Sequence, residues 1–213
     1  MGETLSEYRK WQLIVNRFIE ICKTETKNYF GNPRFLEAEG TINEITIRNN
    51  AENSFNTKSL WYNDDSYIIV NRPDDSYALH HYKVTADPAS PKYKRAHLCE
   101  GAYESFVVRP HRWQPGRTAL CQDAGEVRIS RTGYGNEILF WEWGYFGINY
   151  HNQGGFLNSS AGCTIYMDIN HPEIKYILET SKPVHKKLTS GKYSRFIMNY
   201  KTLERIKNEL RIN

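Results

Sequence analysis

Two residues in the second half of the sequence have the types and the spacing of a nucleophile and its base. Cys163 ends the run Ser-Ser-Ala-Gly-Cys at positions 159–163, and His151 lies twelve positions before it. A thiol becomes a strong nucleophile when its pKa is lowered or its proton is removed, and a nearby imidazole does both. The pair therefore predicts cysteine-dependent nucleophilic catalysis with His151 as the general base.

The residues just before Cys163 favour a tight turn that brings backbone N–H groups together. Gly162 gives the backbone freedom and Ala161 is small, so that the N–H groups of Gly162 and Cys163 can point at one spot beside the sulfur. That arrangement is the geometry of an oxyanion hole. Ser160 is expected either to orient this loop near the thiolate or to act as a plain turn residue. Asn149 shares a strand face with the histidine two positions later, and it is a candidate to orient the imidazole or to contact substrate.

Each candidate also has a structural interpretation. A lone cysteine is commonly a buried apolar residue, and a histidine is commonly hydrogen-bonded in a core. The sequence leaves both interpretations open for Cys163 and His151. The other cysteines, Cys22, Cys99 and Cys121, form no CxxC pair, and their surroundings predict structural roles.

The sequence predicts no metal site and no cofactor. His80 and His81 are adjacent, so that on a strand they point to opposite faces and cannot share one metal ion. The remaining histidines show neither the HxH nor the HxxxH spacing of metal ligands. The acidic pairs at 64–65 and 74–75 are predicted to form turns rather than the carboxylate dyad of a glycosidase.

Composition indicates a folded, sheet-rich protein. The 213 residues are 39% hydrophobic and 24% charged, and they include 15 Tyr, 9 Phe and 5 Trp. Aromatic residues favour strands. The net charge of +4 suits either ordinary solubility or an anionic polymer such as a bacterial cell wall. The sequence has no interleaved pattern of arginines and aromatic residues, which argues against binding to nucleic acid.

The N-terminal sequence and the hydropathy of the chain bear on where it acts. Positions 1–5 lack the basic and then apolar stretch of a secretory signal, and no apolar run is long enough to span a membrane. We therefore expect synthesis in the cytoplasm with free thiols. Action outside the cytoplasm then needs another delivery route. The sequence carries no indication of an oligomeric state.

Periodic apolar residues divide the chain into an N-terminal helix and a larger strand-rich part. Residues at i, i+3, i+4 and i+7 predict an amphipathic helix, within an N-terminal unit at 1–30 that packs on the rest. They are Tyr8, Trp11, Ile14, Val15, Phe18, Ile19 and Cys22. A linker-like passage at 28–40 follows, and the main domain with its helical C-terminal tail is predicted over 40–213.

Short apolar runs broken by turns predict many strands as far as about residue 168. The predicted strands are Asn43–Arg48, Ser66–Asn71, Tyr77–Thr85, Ser105–Arg109, Thr118–Gln122, Glu126–Arg131, Ile138–Trp143, Gly147–His151 and Gly162–Met167. Beyond them the sequence predicts helices at Pro172–Glu179 and Leu203–Leu210, with a strand at Arg195–Tyr200. The expected fold class is a mainly β sandwich or barrel with an N-terminal amphipathic helix and C-terminal helices.

The stretch that carries the candidate dyad resembles the signature of the L,D-transpeptidase catalytic domain family. That family presents a histidine and then a Ser/Thr-x-Gly-Cys run, which Ile-Asn-Tyr-His at 148–151 and Ser-Ala-Gly-Cys at 160–163 resemble here. The strand at 77–85, the proline-containing turn at 88–91 and Glu-Gly-Ala-Tyr at 100–103 are similar to earlier parts of that domain. The resemblance is closer to a sub-group of phage and bacterial proteins with Ile-Asn-x-His and Ser-Ala-Gly-Cys motifs.

The resemblance implies a β domain that acts on the stem peptides of peptidoglycan without a cofactor, Cys163 attacking a peptide bond and His151 serving as base. Ala161 stands where the family usually has histidine, and Ile165 where asparagine is frequent. Transfer to an amine and hydrolysis, as in a phage lysin, therefore both stay open. Two other interpretations also stay open: a catalytically inactive cell-wall-binding or structural phage protein on the same fold, and a cysteine hydrolase with another substrate.

Overall fold

The structure is a computed structural model that describes residues 5–49, 64–72, 75–86, 94–111, 114–133, 137–152, 164–166 and 193–212. Within these ranges the helices are α1 (Glu7–Ile21) and α2 (Tyr200–Leu210). The strands are β1 (Tyr29–Phe30), β2 (Ile42–Arg48), β3 (Asp64–Asn71), β4 (Tyr77–Thr85), β5 (Arg95–Leu98), β6 (Gly101–Tyr103), β7 (Phe106–His111), β8 (Gln114–Gln122), β9 (Val127–Thr132), β10 (Ile138–Gly144), β11 (Tyr150–Asn152), β12 (Thr164–Tyr166) and β13 (Tyr193–Asn199). The prediction of a mainly β chain is confirmed, with a helix on each side of the strand-rich part.

Helix α1 follows the predicted apolar periodicity closely. Ser6 is its N-cap, and the Ser6 hydroxyl accepts a hydrogen bond from the Arg9 N–H at 3.3 Å. The helix continues into one π-helical turn at Cys22–Thr26, and Lys27 in the left-handed region ends that turn. The inner face of α1 is apolar and buried. Its side chains are Trp11, Ile14, Val15, Phe18, Ile19 and Ile21.

Ten strands form one mixed sheet in the order β1-β6-β13-β2-β3-β4-β12-β11-β8-β7. Strand β13 lies inside this sheet, antiparallel to β6 and parallel to β2. Strands β11 and β12 are parallel neighbours closer to the β7 end. One sheet therefore joins early and late parts of the sequence, and it contains both strands that flank the candidate motif.

Helices α1 and α2 cover one face of this sheet at β13, β2 and β3. Alternate residues of these strands point towards the helices, and together they form one buried apolar cluster. Its members include Ile45, Ile47, Ile69, Phe196 and Met198 from the strands and Phe18, Leu203 and Ile206 from the helices. Burial of this apolar surface is the main stabilising contribution on the helix side.

The opposite face of the large sheet packs against a second, smaller sheet. Strands β10, β9 and β5 form it, with β9 in the middle and antiparallel to both neighbours. Leu98, Val127 and Ile129 of the small sheet belong to one buried cluster with Tyr103 and Ile197 of the large sheet. The two sheets therefore enclose a second core on the side away from the helices.

The sequence does not predict three of the observed strands. Strand β1 lies inside the passage interpreted as a linker, and β5 and β6 lie in a stretch without predicted strands. In β5, Arg95 and His97 are as buried as Ala96 and Leu98. The strand consequently lacks the alternation of polar and apolar residues by which a half-buried strand is recognised.

Two further predicted elements are a strand at Gly147–His151, which the structure shortens, and a helix at Pro172–Glu179, which it does not describe. The strand predicted at Gly147–His151 begins later, as β11 at Tyr150, since Gly147 has a left-handed φ of 68° that an extended strand does not use. The helix predicted at Pro172–Glu179 lies outside the described residues. The unit boundaries at residues 30 and 40 stay predictions.

Candidate functional site at strands β11 and β12

The candidate site lies where β11 and β12 run side by side. Tyr150 of β11 is in register with Thr164 of β12. The Thr164 N–H also donates a hydrogen bond to the Asn149 carbonyl oxygen at 2.8 Å. The residue before His151 is thus paired with the residue that follows Cys163 in the sequence.

Most of the predicted motif lies outside the described residues. The undescribed segment 153–163 contains Ser160, Ala161, Gly162 and Cys163. His151 is the middle residue of β11, in register with Ile165 of β12. The structure therefore describes the strands that flank the candidate dyad, and the dyad and its oxyanion hole stay predictions.

Asn149 has a structural partner on the neighbouring strand. Its side-chain oxygen Oδ1 accepts a hydrogen bond from the Gln122 N–H at 3.0 Å, and the residue is buried. Gln122 ends β8, which pairs with β11 on the side away from β12. One role of Asn149 is therefore to join the entry of β11 to β8. Its contact with the imidazole or with substrate stays a prediction.

The Gln122 side chain holds the segment that leads into β11. Its Nε2 donates to the carbonyl oxygens of Gly144 at 2.7 Å and Gly125 at 3.2 Å. Its Oε1 accepts from the N–H groups of Phe146 at 2.9 Å and Ile148 at 3.4 Å. One buried amide therefore satisfies four loop backbone groups. Sequence analysis missed this residue, because a glutamine at a strand end carries no distinguishing signal.

A buried ion pair joins β13 and β2. Arg195 Nε donates to Glu44 Oε2 at 2.8 Å, and each side chain is 1% exposed. The other carboxylate oxygen, Oε1, accepts hydrogen bonds from the hydroxyls of Thr46 and Ser66, the latter at 2.8 Å. Both carboxylate oxygens are therefore hydrogen-bonded, which offsets the cost of removing the charge from water.

The same network reaches the two strands of the candidate site. Arg195 Nη2 donates to Thr164 Oγ1 at 2.5 Å, and the Tyr150 hydroxyl donates to Ser66 Oγ at 3.2 Å. The Arg195 guanidinium also lies 5.4 Å from the centroid of the Tyr150 ring. Its remaining nitrogen, Nη1, has no hydrogen-bond partner among the described residues. Arg195 of the ion pair thus contacts both Tyr150 and Thr164, the in-register residues of β11 and β12, from the protein interior.

Sequence analysis did not find this network. Glu44 and Arg195 are 151 positions apart, and they meet only because β13 lies beside β2 in the sheet. Charged residues in strands are mostly solvent-exposed. Considered alone, the sequence therefore suggests that Glu44 and Arg195 each lie on an exposed strand face.

A second polar cluster lies on the helix-side face of the sheet, at β3 and β4. Asp65 Oδ1 is 2.6 Å from both His81 Nε2 and Lys83 Nζ, and Asn49 Nδ2 donates to Asp65 Oδ2 at 2.5 Å. Burial by itself raises the pKa of the Asp65 carboxyl, but the hydrogen bonds that it accepts outweigh burial and lower its pKa below the ordinary value. This carboxylate is therefore held ionised by its neighbours, unlike a general acid.

The acidic pair at 64–65 does not form the predicted turn. Both residues open β3, and the Asp64 carboxylate accepts hydrogen bonds from the N–H groups of Asn49 and Ala86, each at 3.0 Å. The prediction was wrong because this side chain bonds chain segments outside the pair rather than its own turn. Among the described residues, no three His, Cys, Asp or Glu side chains form a group that could hold a metal ion.

The cysteines in the described ranges are free thiols. They are Cys22, Cys99 and Cys121. Cys22 lies in the apolar cluster under the helices and is fully buried. Burial, together with the nearby Glu100 carboxylate, raises the pKa of the Cys22 thiol to about 12. Cys22 is therefore a packing residue, and its thiol is inert at neutral pH.

Known proteins supply no further constraint on the site. Comparisons with protein-family models, with curated proteins and with solved structures found no match for this chain. Neither helix in the described ranges combines the length and the apolar character that crossing a bilayer requires.

Proposed function

We propose that this protein is a cysteine-dependent acyl-transfer enzyme of L,D-transpeptidase type that acts on the stem peptides of peptidoglycan in the bacterial cell wall. Cys163 is the nucleophile and His151 the base. The observation that carries the proposal is the parallel pairing of β11 with β12. This pairing supports it because His151 lies on one of these strands and Cys163 immediately precedes the other.

The register of the two strands suits a nucleophile and a base that approach each other. Side chains alternate along a strand, so that positions 149 and 151 have the same parity. Tyr150 is level with Thr164. In the sequence His151 directly follows Tyr150 and Cys163 directly precedes Thr164. Each proposed group is therefore one position away in sequence from a member of one in-register pair, which supports their assignment to a shared site.

The buried network supports the proposal by fixing the frame around the dyad. A catalytic group must be held within about 0.5 Å of its productive position by packing and by hydrogen bonds behind it. Thr164 is held by Arg195, and Asn149 is held by Gln122. Thr164, next to Cys163, and Asn149, two positions before His151, are therefore anchored by buried hydrogen bonds.

The proposed reaction begins when His151 takes the Sγ proton of Cys163 and the thiolate attacks the carbonyl carbon of a peptide bond beside a D-residue. The N–H groups of Gly162 and Cys163 hold the oxyanion. The C–N bond then breaks, the imidazolium gives its proton to the leaving amine, and a thioester forms on Cys163. Water or a second amine attacks the thioester, and the thiol is regenerated with the help of His151.

The decisive experiment compares the full chain with its Cys163→Ala variant on purified peptidoglycan and on a stem tetrapeptide. Loss of the nucleophile is expected to reduce product formation by on the order of 10⁴-fold or more. Cys99→Ala, which removes a thiol outside the motif, is the matched control and is expected to keep activity. Equal product from the Cys163→Ala variant and the parent would show the proposal to be wrong.

Thiol reactivity separates an enzyme from a wall-binding protein on the same fold. A thiol with a base beside it reacts with iodoacetamide at neutral pH faster than free cysteine does, and His151→Ala is expected to slow that reaction. Cys22 serves as an unreactive internal reference because its pKa is raised to about 12. A Cys163 thiol as inert as Cys22 would favour the non-catalytic alternative.

A further inference from the structure

An exposed aromatic surface lies on the small sheet. Strand β10 is the outer strand of that sheet. Three of its aromatic residues and the tyrosine just after it expose large fractions of their surface: Phe140 40%, Trp141 51%, Trp143 55% and Tyr145 64%. We refer to these four residues as the aromatic edge. Trp141 and Trp143 are two positions apart on β10 and so share one face of the strand, and exposed aromatic residues grouped in this way indicate an interaction site.

Two cations lie against the rings of the aromatic edge. The Arg128 guanidinium is 4.9 Å from the centroid of the Trp143 ring and 5.8 Å from that of Trp141. Arg128 and Trp143 are a directly opposed pair across β9 and β10. On the other face of β10, Lys94 Nζ is 5.8 Å from the centroid of the Phe140 ring. The rings are therefore held in place by cation–π contacts while they stay exposed.

The charge of this surface is weakly positive. In the described part of the chain the partners of Arg128 are neutral: the Asn28 side-chain oxygen at 2.9 Å and the two tryptophan rings. The neighbouring Arg131 is instead paired with Glu142 at 2.5 Å. Among the described residues no carboxylate is paired with Arg128, so that the aromatic edge favours a ligand with apolar ring faces and sparse negative charge.

We propose that the aromatic edge binds the glycan of peptidoglycan, an amino-sugar polymer whose attached peptides carry carboxylates. This inference rests on the proposed function and names where the polymer is held during reaction. The C–H faces of sugar rings pack on aromatic side chains, and a carboxylate on the attached peptide pairs with Arg128. Trp141 and Trp143 are two positions apart on one strand face, about 6.6–6.8 Å, so that one extended sugar chain contacts both.

A second copy of this chain fits the aromatic edge less well. A two-fold contact places the same surface on both sides, so that Arg128 of one copy approaches Arg128 of the other with no carboxylate between them. Single-stranded nucleic acid also fits less well. It carries a phosphate on every nucleotide and needs several unpaired cations, whereas Arg131 is already paired with Glu142.

The test measures binding of the full chain to purified, insoluble sacculi and to a soluble β-1,4-linked N-acetylglucosamine hexamer. The double variant Trp141→Ala/Trp143→Ala is expected to bind both ligands at least tenfold more weakly. The matched control is Tyr200→Ala, which removes another exposed aromatic residue, on α2, and is expected to bind within twofold of the parent. Trp141→Tyr/Trp143→Tyr keeps the aromatic faces and is expected to retain most of the binding, which separates lost stacking from lost folding.

The outcomes of this test and of the activity test are distinguishable. Cys163→Ala is expected to bind the hexamer like the parent while product formation stops. Glycan binding through the aromatic edge by a chain that cleaves no stem peptide would overturn the proposed function and leave this inference intact. Unchanged hexamer binding in the double alanine variant would overturn the inference alone. So would a double variant that changes only self-association, or a parent that binds oligothymidine more tightly than the hexamer.

Discussion

Strand β2 is buried on both faces, and a comparison of the two faces separates two ways of stabilising one strand. On the helix side, Ile45 and Ile47 belong to the apolar cluster with α1 and α2. On the other side, Glu44 and Thr46 belong to the network of Arg195. The apolar face gains stability from buried area and tolerates small changes in shape. The ionic face depends on matched partners, and it is the face that reaches β11 and β12.

The largest effect is expected where one partner of the ionic face is removed. Arg195→Met leaves the Glu44 carboxylate buried without its counter-charge, and this is expected to lower the free energy of unfolding by about 3–5 kcal/mol. Urea denaturation followed by circular dichroism measures it. A loss below about 1 kcal/mol would mean that the two faces of β2 respond alike.

Replacement of both partners is expected to cost less than the single change. In Glu44→Met/Arg195→Met no buried charge is left, and packing of apolar side chains replaces much of the lost interaction. A double-mutant cycle in urea, with Glu44→Met as the second single variant, gives the coupling energy. If the two single losses in unfolding free energy add up to the loss in the double variant, Glu44 and Arg195 contribute independently, and the ionic face does not depend on matched partners.

A change on the apolar face is expected to be smaller and local. Ile45→Val deletes one buried methylene group and is expected to lower the free energy of unfolding by about 1 kcal/mol. Because Ile45 lies on the helix side, the reactivity of Cys163 towards iodoacetamide is expected to stay as in the parent, whereas Arg195→Met lowers it. Equal loss of reactivity in both variants would contradict the separate role of the ionic face.

The smallest effect concerns the pH dependence contributed by Cys22 on the apolar side. Its thiol pKa is raised from about 8.5 in the unfolded chain to about 12 in the folded protein. Between these two pH values the folded state binds more protons than the unfolded chain. The stabilisation from this thiol is therefore complete below about pH 8.5 and is lost as the pH rises towards 12. From pH 7 to pH 9 the expected loss is about 1 kcal/mol.

The control for that measurement is Cys22→Ala, which has no thiol to titrate. Urea denaturation at pH 7, 8 and 9 is expected to show a flatter pH profile for this variant than for the parent, on a lower absolute stability. The same slope in both proteins would assign the alkaline loss to other groups, such as the buried Tyr103, whose pKa burial raises well above its usual value.

Local periodicity predicted most of the regular elements of the described chain, but not β1, β5 or β6. Strand β4 has the predicted bounds Tyr77–Thr85, and α1 follows the predicted apolar stripe from Tyr8 onwards. Periodicity did not reveal β5, where the polar residues Arg95 and His97 are buried together with the apolar residues between and after them. Periodicity also cannot predict the order of strands in the sheet, because the pairing of β13 with β2 depends on contacts between residues far apart in sequence.

In the candidate site, too, some residues could be named from the sequence and others only from the structure. Residue types and spacing pointed to His151 and Cys163 as candidates, and their roles stay predictions. The network that holds the flanking strands was not predictable, because Arg195 reaches Thr164 and Glu44 through the strand order of the sheet. Gln122 likewise acts on loops far from it in sequence. Candidate reactive residues could thus be named from the sequence, whereas the residues that position the flanking strands could not.

The place of β13 inside the large sheet has a consequence for the order of folding. Its partner β2 is synthesised about 150 residues earlier, as the separation of 151 positions between Glu44 and Arg195 shows. Closing so long a loop has a high entropy cost, and non-local pairings of this kind slow folding. On the ribosome, β3 follows β2 closely, but β2 waits for its other neighbour, β13, with its ionic face still hydrated. The central part of the sheet is expected to form only after residues 193–199 have left the exit tunnel.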